Sequence, residues 1–238
     1  YNDDEGFVLN VTTPHFPVNI SNPGDSPAGC QDDNNLKAAQ QFFCMSFDMD
    51  NLKKWGAAAK HAQLCGVQPW SANDILEMKV PDKDAKELKC LPNVPLQTRG
   101  GVDITLTIKS GWENYNPWSI VSAGVGAPLQ VASWTTTTSS SAGWGSAPCY
   151  PGSKGLKQIV TMGDKTQGVF KATFGTTHAK FAISEDPDSP WVCFGSMNQQ
   201  NTQAARGGDF YSMQNKALWS VINEWISNGT TRVPPKCG

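Results

Sequence analysis

The chain reads as a layered α/β protein, with mixed sheets flanked by helices. Three observations predict this class. "VDITLTIKS" (102–110) places Val102, Ile104, Leu106 and Ile108 at alternate positions, the period-two pattern of a half-buried strand. "NLKKWGAAAKHAQL" (51–64) and "NKALWSVINEWIS" (215–227) each carry an apolar stripe at helical spacing. Short strand-like runs then crowd together between 157 and 195. Strands interleaved with helices must bury their apolar faces on one another, which gives layers.

Taken in order, residues 1–30 are rich in Pro, Asn and Gly, and only "FVLNV" reads as a strand. "QQFFCMSF" (40–47) reads as a buried strand. Asp50 is the expected N-cap of the helix after it, whose Leu52, Trp55, Ala59 and Ala62 share one face. Residues 82–90 suggest a short charged helix. After the strand at 102–110, "PLQVASWTTTT" (128–138) is a second strand rich in β-branched residues. The Ser/Gly stretch 139–147 is a loop, too short for a domain linker. "KQIVTM", "KATF", "HAKFAIS" and "WVCFG" follow as consecutive short strands. The last helix carries Leu218, Val221, Ile222, Trp225 and Ile226 as its apolar stripe, with Gly229 as its stop. No short repeat is present.

Composition narrows the class further. The 238 residues are 39% hydrophobic and 17% charged, as in an ordinary globular chain. No apolar run approaches the ~20 residues of a membrane helix. The start at "YNDDEGFVLN" rather than at Met leads us to expect that something upstream was removed. Sequons at Asn10, Asn19 and Asn228, beside seven cysteines, favour a secretory route. The cysteines are 30, 44, 65, 90, 149, 193 and 237, with no C-x-x-C pair to suggest zinc. An odd count leaves one thiol free or bridged to another chain.

Net charge is only −2, so bulk electrostatics do not announce a nucleic-acid binder. The distribution is more informative. Residues 1–50 hold Asp3, Asp4, Glu5, Asp25, Asp32, Asp33, Asp48 and Asp50 against Lys37 alone. Residues 145–181 hold Lys154, Lys157, Lys165, Lys171 and Lys180 against Asp164. In an acidic compartment His15, His61 and His178 would shift the balance positive.

That basic segment leads into "HAKFAISEDPDSPWVCFGSMN" (178–198). On a strand, His178 and Lys180 would project from one face. A histidine can act as nucleophile or general acid, and a neighbouring lysine supplies fixed positive charge for a phosphate oxygen. "GSMN" adds a hydroxyl and an amide donor where glycine permits close approach. Together these residues suit a phosphodiester site that needs no metal and no cofactor. An isolated H-x-K is more often an exposed strand edge, but here it has company.

H-x-K followed by G-S-x-N resembles the signature of the phospholipase D superfamily. The wider stretch "HAKFAIS…SPWVCFGSMNQQNTQAARGGDF" is similar to the C-terminal block of the deoxyribonuclease II family, with its P-W-x-C-x-G-x-M-N and R-G-G segments. "GFVLNVTTPHFP", "QQFFCMSF" with its helix, and "PLQVASW" match in order, so the similarity covers essentially all of the chain.

The resemblance implies a phospholipase D-like sandwich of pseudo-two-fold halves, each giving one H-x-K to a shared cleft. Here one region would span 1–238, with roughly 1–100 completing the N-terminal half and 101–238 forming the half with H-x-K. It also implies acid endodeoxyribonuclease activity without metal, through a phosphohistidine intermediate and leaving 3′-phosphate ends, in a lysosomal or secreted protein. His178 would be one catalytic histidine, as nucleophile or general acid. Lys180 would bind the phosphate, and Ser196 and Asn198 would hold its other oxygens or orient the imidazole. Lys171 and Arg206 would bind substrate, although a loop salt bridge suits Arg206 equally well. Glu185 stands five residues after Lys180, where broader phospholipase D relatives carry Asp, but the deoxyribonuclease branch keeps no acid there.

This chain lacks the family's first H-x-K. Neither His15 nor His61 has a lysine two residues on; a structural role suits the first and a surface position the second. Val11 stands where many members carry histidine, which would weaken activity. Three explanations compete: a smaller N-terminal chain of the same precursor carries the missing motif; two copies pair their His178 residues; or the chain is an inactive relative that binds DNA or serves as a secreted toxin or effector. The first makes Cys44 the candidate interchain bridge. By the same resemblance Cys149 pairs with Cys237, and Cys30, Cys65, Cys90 and Cys193 form two further pairs. Trp112, Trp118, Trp134, Trp144 and Trp191 could stack on bases, but nine tryptophans in such a chain are mostly core.

Overall fold

The computed structural model describes residues 4–11, 41–62, 88–133, 147–163, 172–173, 179–227 and 230–232. Two strands open the chain, β1 (Glu5–Val11) and β2 (Phe42–Asp48), paired antiparallel with Phe7 opposite Ser46 and Leu9 opposite Cys44. Helix α1 (Met49–Ala62) follows directly. Its cap is Asp48 rather than the expected Asp50: the Asn51 amide donates to Asp48 Oδ1 at 2.8 Å, so the helix starts two residues early. Those hydrogen bonds to Asn51 hold the Asp48 carboxyl below its ordinary range. The expected face is correct, with Leu52, Trp55, Ala59 and Ala62 all buried.

A nine-stranded sheet forms the body. Its strands are β3 (Leu91–Gln97), β4 (Asp103–Lys109), β5 (Leu129–Ala132), β6 (Leu156–Met162), β7 (Ala172–Thr173), β8 (Phe181–Ser184), β9 (Trp191–Gly195), β10 (Gly208–Gln214) and β11 (Thr230–Arg232). The order across it is β11-β6-β5-β8-β9-β10-β4-β3, with β7 beside β6. β5 and β6 run parallel and the other pairs antiparallel, so the sheet is mixed. Helices α2 (Pro117–Val125), α3 (Asn201–Ala204) and α4 (Lys216–Ser227) are the other helices among the described residues.

The layers follow from alternation along the central strands. Tyr211 and Met213 of β10 join Ile104, Leu106 and Ile108 of β4 in one core, closed by Val8, Met45, Phe47 and the buried face of α1. Phe210, next to Tyr211 in sequence and so on the opposite face, lies in a second core with Cys193, Val131 and Leu156 under Trp118 and Val121 of α2. A third core sets Ile159, Ile183 and Val192 against Trp219, Ile222 and Ile226 of α4. The layered α/β reading therefore holds.

Several expectations need correction. β2 is not a buried strand: Met45 and Phe47 face inward while Cys44 and Ser46 face solvent. In α4 the buried side chains are Trp219, Ile222 and Ile226, whereas Val221 is 45% exposed; the stripe is rotated toward Trp219, whose indole donates to the Ser184 carbonyl at 2.9 Å. Cys90 and Cys193 are free, buried thiols rather than members of disulfides. Burial pushes Cys193 up to about 12 and Cys90 up to about 11, so both stay protonated. Cys149 is disulfide-bonded. Asn10 is buried, at 6% exposed.

The suggested helix at 82–90 lies outside the described residues except for 88–90, which are not helical. Also outside them lie His15, Cys30, Cys65, Trp134, Trp144, Lys165, Lys171, His178, Cys237, Asn19 and Asn228, and the Val11 side chain.

Candidate active site

Sheet topology brings the motif together. β8 and β9 are antiparallel, so the chain entering β8 lies beside the chain leaving β9, and Gly195 N–H donates to the Lys180 carbonyl at 3.0 Å. β10 is antiparallel to β9 with Phe210 opposite Gly195, which places the start of β10 at the same end. Lys180, the Gly195–Asn198 turn and Asp209 thus converge from three neighbouring strands.

The turn is tightly held. Ser196 N–H donates to the Asp209 carbonyl at 3.0 Å, and the Asp209 amide donates to Ser196 Oγ at 3.1 Å. The Ser196 hydroxyl in turn donates to the Asp209 carbonyl at 3.2 Å, so it is engaged with the neighbouring strand. The Trp118 indole donates to the Met197 carbonyl at 3.0 Å. Both crossings are close: a Cβ on Gly195 would meet the Phe210 ring at 2.2 Å, and one on Gly208 would push the Met197 side chain, 2.3 Å away, aside.

Charge is buried here. Lys180 is 3% exposed and Asn198 6%. Lys180 is therefore not the exposed strand edge that an isolated H-x-K would suggest. It also precedes β8 rather than lying within it. Burial lowers its ammonium pKa to about 7. The turn and the lysine are thus brought together, while His178 and Lys171 lie outside the described residues. Arg206 is exposed in the link between α3 and β10. Glu185 pairs with Lys157, which points to a structural part. The His61 ring contacts the Lys89 carbonyl at 3.0 Å and is half-buried. Trp112 is 50% exposed, Trp191 half-buried and Trp118 fully buried.

The sequence reading missed Asp209. It is buried, and its carboxylate accepts from Tyr211 Oη at 2.7 Å; Tyr211 accepts from the Trp55 indole at 2.8 Å. Burial raises the Asp209 carboxyl, while hydrogen bonds from Tyr211 and Ser196 oppose that rise. Burial, then the charge of Asp209, raise Tyr211 as well. A chain of polar groups therefore runs from α1 into the turn. The available signal was an acid in an otherwise apolar run, "GGDFYSM". Among the described residues, no group of three or more His, Cys, Asp or Glu side chains stands together to hold a metal.

The family model for deoxyribonuclease II matches residues 1–231. The chain belongs to the deoxyribonuclease II family. It is 25% identical over 255 residues to "Cell-death-related nuclease 7" of Caenorhabditis elegans, covering 95% of this chain and 60% of that protein. It is 26% identical to "Deoxyribonuclease-2-alpha" of Rattus norvegicus, covering 93% of this chain and 62% of the relative. It is 23% identical to "Plancitoxin-1" of Acanthaster planci, covering 94% and 63% respectively. The chain thus spans about three fifths of the length of these curated relatives. Among the described residues, no helix is long and apolar enough to cross a membrane.

Proposed function

We propose that this chain is the large C-terminal part of a deoxyribonuclease II-type acid endonuclease that hydrolyses DNA. The observation that carries the reading is Lys180, a buried lysine immediately before β8, set against the Gly195–Asn198 turn in a chain of this family. A lysine whose ammonium pKa lies near 7 is cationic in acid, where it can meet a phosphodiester oxygen in a site shielded from water. As pH rises through about 7 that charge is lost, so DNA binding through Lys180 is an acid-side property.

In this reading His178 is one of two catalytic histidines. One imidazole nitrogen attacks phosphorus and forms a P–N bond as the P–O5′ bond breaks; the other histidine gives the leaving 5′-oxygen its proton. Water then cleaves the P–N bond, leaving a 3′-phosphate and restoring the histidine. Lys180 carries the phosphate charge, Asn198 supplies an amide donor, Ser196 holds the turn, and Lys171 and Arg206 meet the flanking backbone.

The second histidine comes from a smaller N-terminal chain of the same precursor. The exposed, free thiol of Cys44 is its point of attachment, and residues 1–100 and 101–238 divide between two pseudo-symmetric halves. A secreted or lysosomal location suits an acid enzyme with a disulfide at Cys149. The test is nicking of plasmid DNA at about pH 5 in EDTA. Nicking that survives chelation and disappears in His178→Ala supports the reading. Binding without cleavage supports the alternative, an inactive relative that binds DNA or acts as a secreted toxin.

A further inference from the structure

Residue 41 lies far from the H-x-K and G-S-x-N motifs in sequence, yet its side chain touches both. The Lys180 amide donates to Gln41 Oε1 at 2.9 Å, and Gln41 Nε2 donates to the Gly195 carbonyl at 3.4 Å. The pair Phe181–Phe194 is the last in register between β8 and β9, so Lys180 and Gly195 stand at the next rung. Residues facing each other at such a rung can exchange two backbone hydrogen bonds. One is made, from Gly195 N–H to the Lys180 carbonyl at 3.0 Å. The path from Lys180 N–H to the Gly195 carbonyl runs instead through the Gln41 carboxamide.

Only a primary amide offers an acceptor and a donor side by side, as a peptide group does. The carboxamide therefore caps the donor and the acceptor at the frayed end of the ladder, where the chain passes from Lys180 into β8 and Ser196 begins the turn. Gln41 is held from its own side as well. It immediately precedes β2, whose Phe43 ring stacks on Phe194 at 4.7 Å and lies 6.3 Å from Tyr211. The C-terminus of α1 closes on the same region: a Cβ on Gly207 would meet the Ala62 carbonyl at 1.4 Å. The β2–α1 unit thus grips both flanks of the turn.

We propose that Gln41 is a positioning residue for the phosphate site, its carboxamide standing in for a backbone rung and fixing the main chain that carries Lys180 and Ser196. The inference rests on the reading of that site given above. It acts through Lys180 and the turn, without touching substrate.

The test uses the complete protein with Gln41→Ala and Gln41→Glu. Three quantities are measured: hydrogen exchange at the Lys180 and Gly195 amides, the melting temperature, and kcat and KM on bis(p-nitrophenyl) phosphate. In Gln41→Ala we expect faster exchange at Lys180 but not at Gly195, which keeps its own bond to the Lys180 carbonyl. Turnover should fall about 10- to 100-fold, because small misplacement of a catalytic group is costly. KM should change less than about threefold, and Tm by less than about 5 °C. Gln41→Glu keeps the acceptor for Lys180 N–H, so its exchange stays slow while turnover still falls.

Unchanged exchange at Lys180 in Gln41→Ala overturns the proposal, and so does a loss of turnover that only tracks the loss of folded protein. Should Gln41→Ala fail to fold, wild-type turnover in Gln41→Glu overturns it. Absence of phosphodiester cleavage by the wild-type protein defeats the nuclease reading instead, and the exchange data still decide whether Gln41 holds this rung.

Discussion

Two buried lysines sit at strand ends of the same sheet and live by different rules. Lys109 closes β4 with no exposed surface, and its ammonium donates to the carbonyls of Ser110 (2.6 Å) and Glu113. Burial lowers its pKa, and the charge of Glu113 partly restores it. At Lys180 burial is the cause of the shift, and it carries the value to about 7. The first lysine is spent on its own main chain, which it ties into a turn. The second carries the larger shift, set by its burial beside the Gly195–Asn198 turn.

Replacing each with methionine should separate those roles most sharply. Lys180→Met should lower DNA cleavage at least about 100-fold, the scale of a lost electrostatic contact to the reacting phosphate. It should also make the protein more stable in acid, by about 2–4 °C for each kcal/mol of burial cost relieved. The sign follows from linkage. The folded-state pKa near 7 lies below the ordinary 10.5, so wild-type stability rises with pH between those values and carries the full cost below about 7. Lys180→Met lacks that slope. Lys109→Met should do the reverse, keeping cleavage while losing about 2–4 kcal/mol as two carbonyls lose their donor. Thermal melts across pH and plasmid nicking measure both; equal effects of the two variants would erase the distinction.

Much of this was legible in the sequence, and the reasons for the rest are physical. β4 announced itself because one face alternates Ile104, Leu106 and Ile108, and α1 because its apolar residues repeat at helical spacing. β10 gave no such signal. It is buried on both faces between β9 and β4 and carries Asp209 and Ser212 inside, so no alternation marks it. β3 was hidden by Pro92 and Pro95, which its place at the end of the sheet order permits. Helix α2 is short and buried over most of its length. Its punctuation was nevertheless present: Asn116 caps the Trp118 amide, Pro117 stands at the first turn, and Gly126 ends it at φ 71°. At the site, H-x-K and G-S-x-N pointed to Lys180 and the turn. Gln41 and Asp209 could not be found that way, because only the strand order brings them to those residues.

The Asp209 network offers a smaller effect with its own sign. Burial raises this carboxyl above the ordinary carboxylate range, so the folded protein holds its proton more tightly than the unfolded chain. Its contribution is therefore greatest in acid and is lost as pH rises through the raised value. Asp209→Asn should flatten that part of the stability profile. Tyr211→Phe should cost about 1–3 kcal/mol by leaving the Trp55 indole and the Asp209 carboxylate without their shared hydroxyl. Urea melts at several pH values read both. An unaltered pH slope in Asp209→Asn would show that its titration is not linked to folding.

The thiols extend the contrast between inside and outside. In the folded, reduced protein Cys44 should react with iodoacetamide, whereas Cys90 and Cys193 should react only on unfolding, since burial keeps both protonated. Peptide mass mapping of the alkylated protein assigns each site. In the protein isolated from its natural source, reduction should first release a smaller chain from Cys44. An unchanged intact mass apart from added protons would leave that cysteine without the proposed partner.

The mildest effect belongs to Glu185, which pattern reading would most readily promote to chemistry. It follows Lys180 by five residues, where broader phospholipase D relatives carry an acid. Yet its carboxylate pairs with Lys157 of β6 across a partly exposed contact, and its amide donates to the Pro128 carbonyl at 3.1 Å. A pair with its lysine side chain 40% accessible sits largely in solvent screening, where such bridges contribute less than about 1 kcal/mol. Glu185→Gln should therefore leave cleavage within about twofold and lower Tm by no more than about 4 °C. A hundredfold loss of turnover with unchanged Tm would move Glu185 from a structural pair at the end of β8 into the active site. It would also mean that the carboxylate swings away from Lys157 when DNA binds, a change that the salt dependence of the melting curve would reveal.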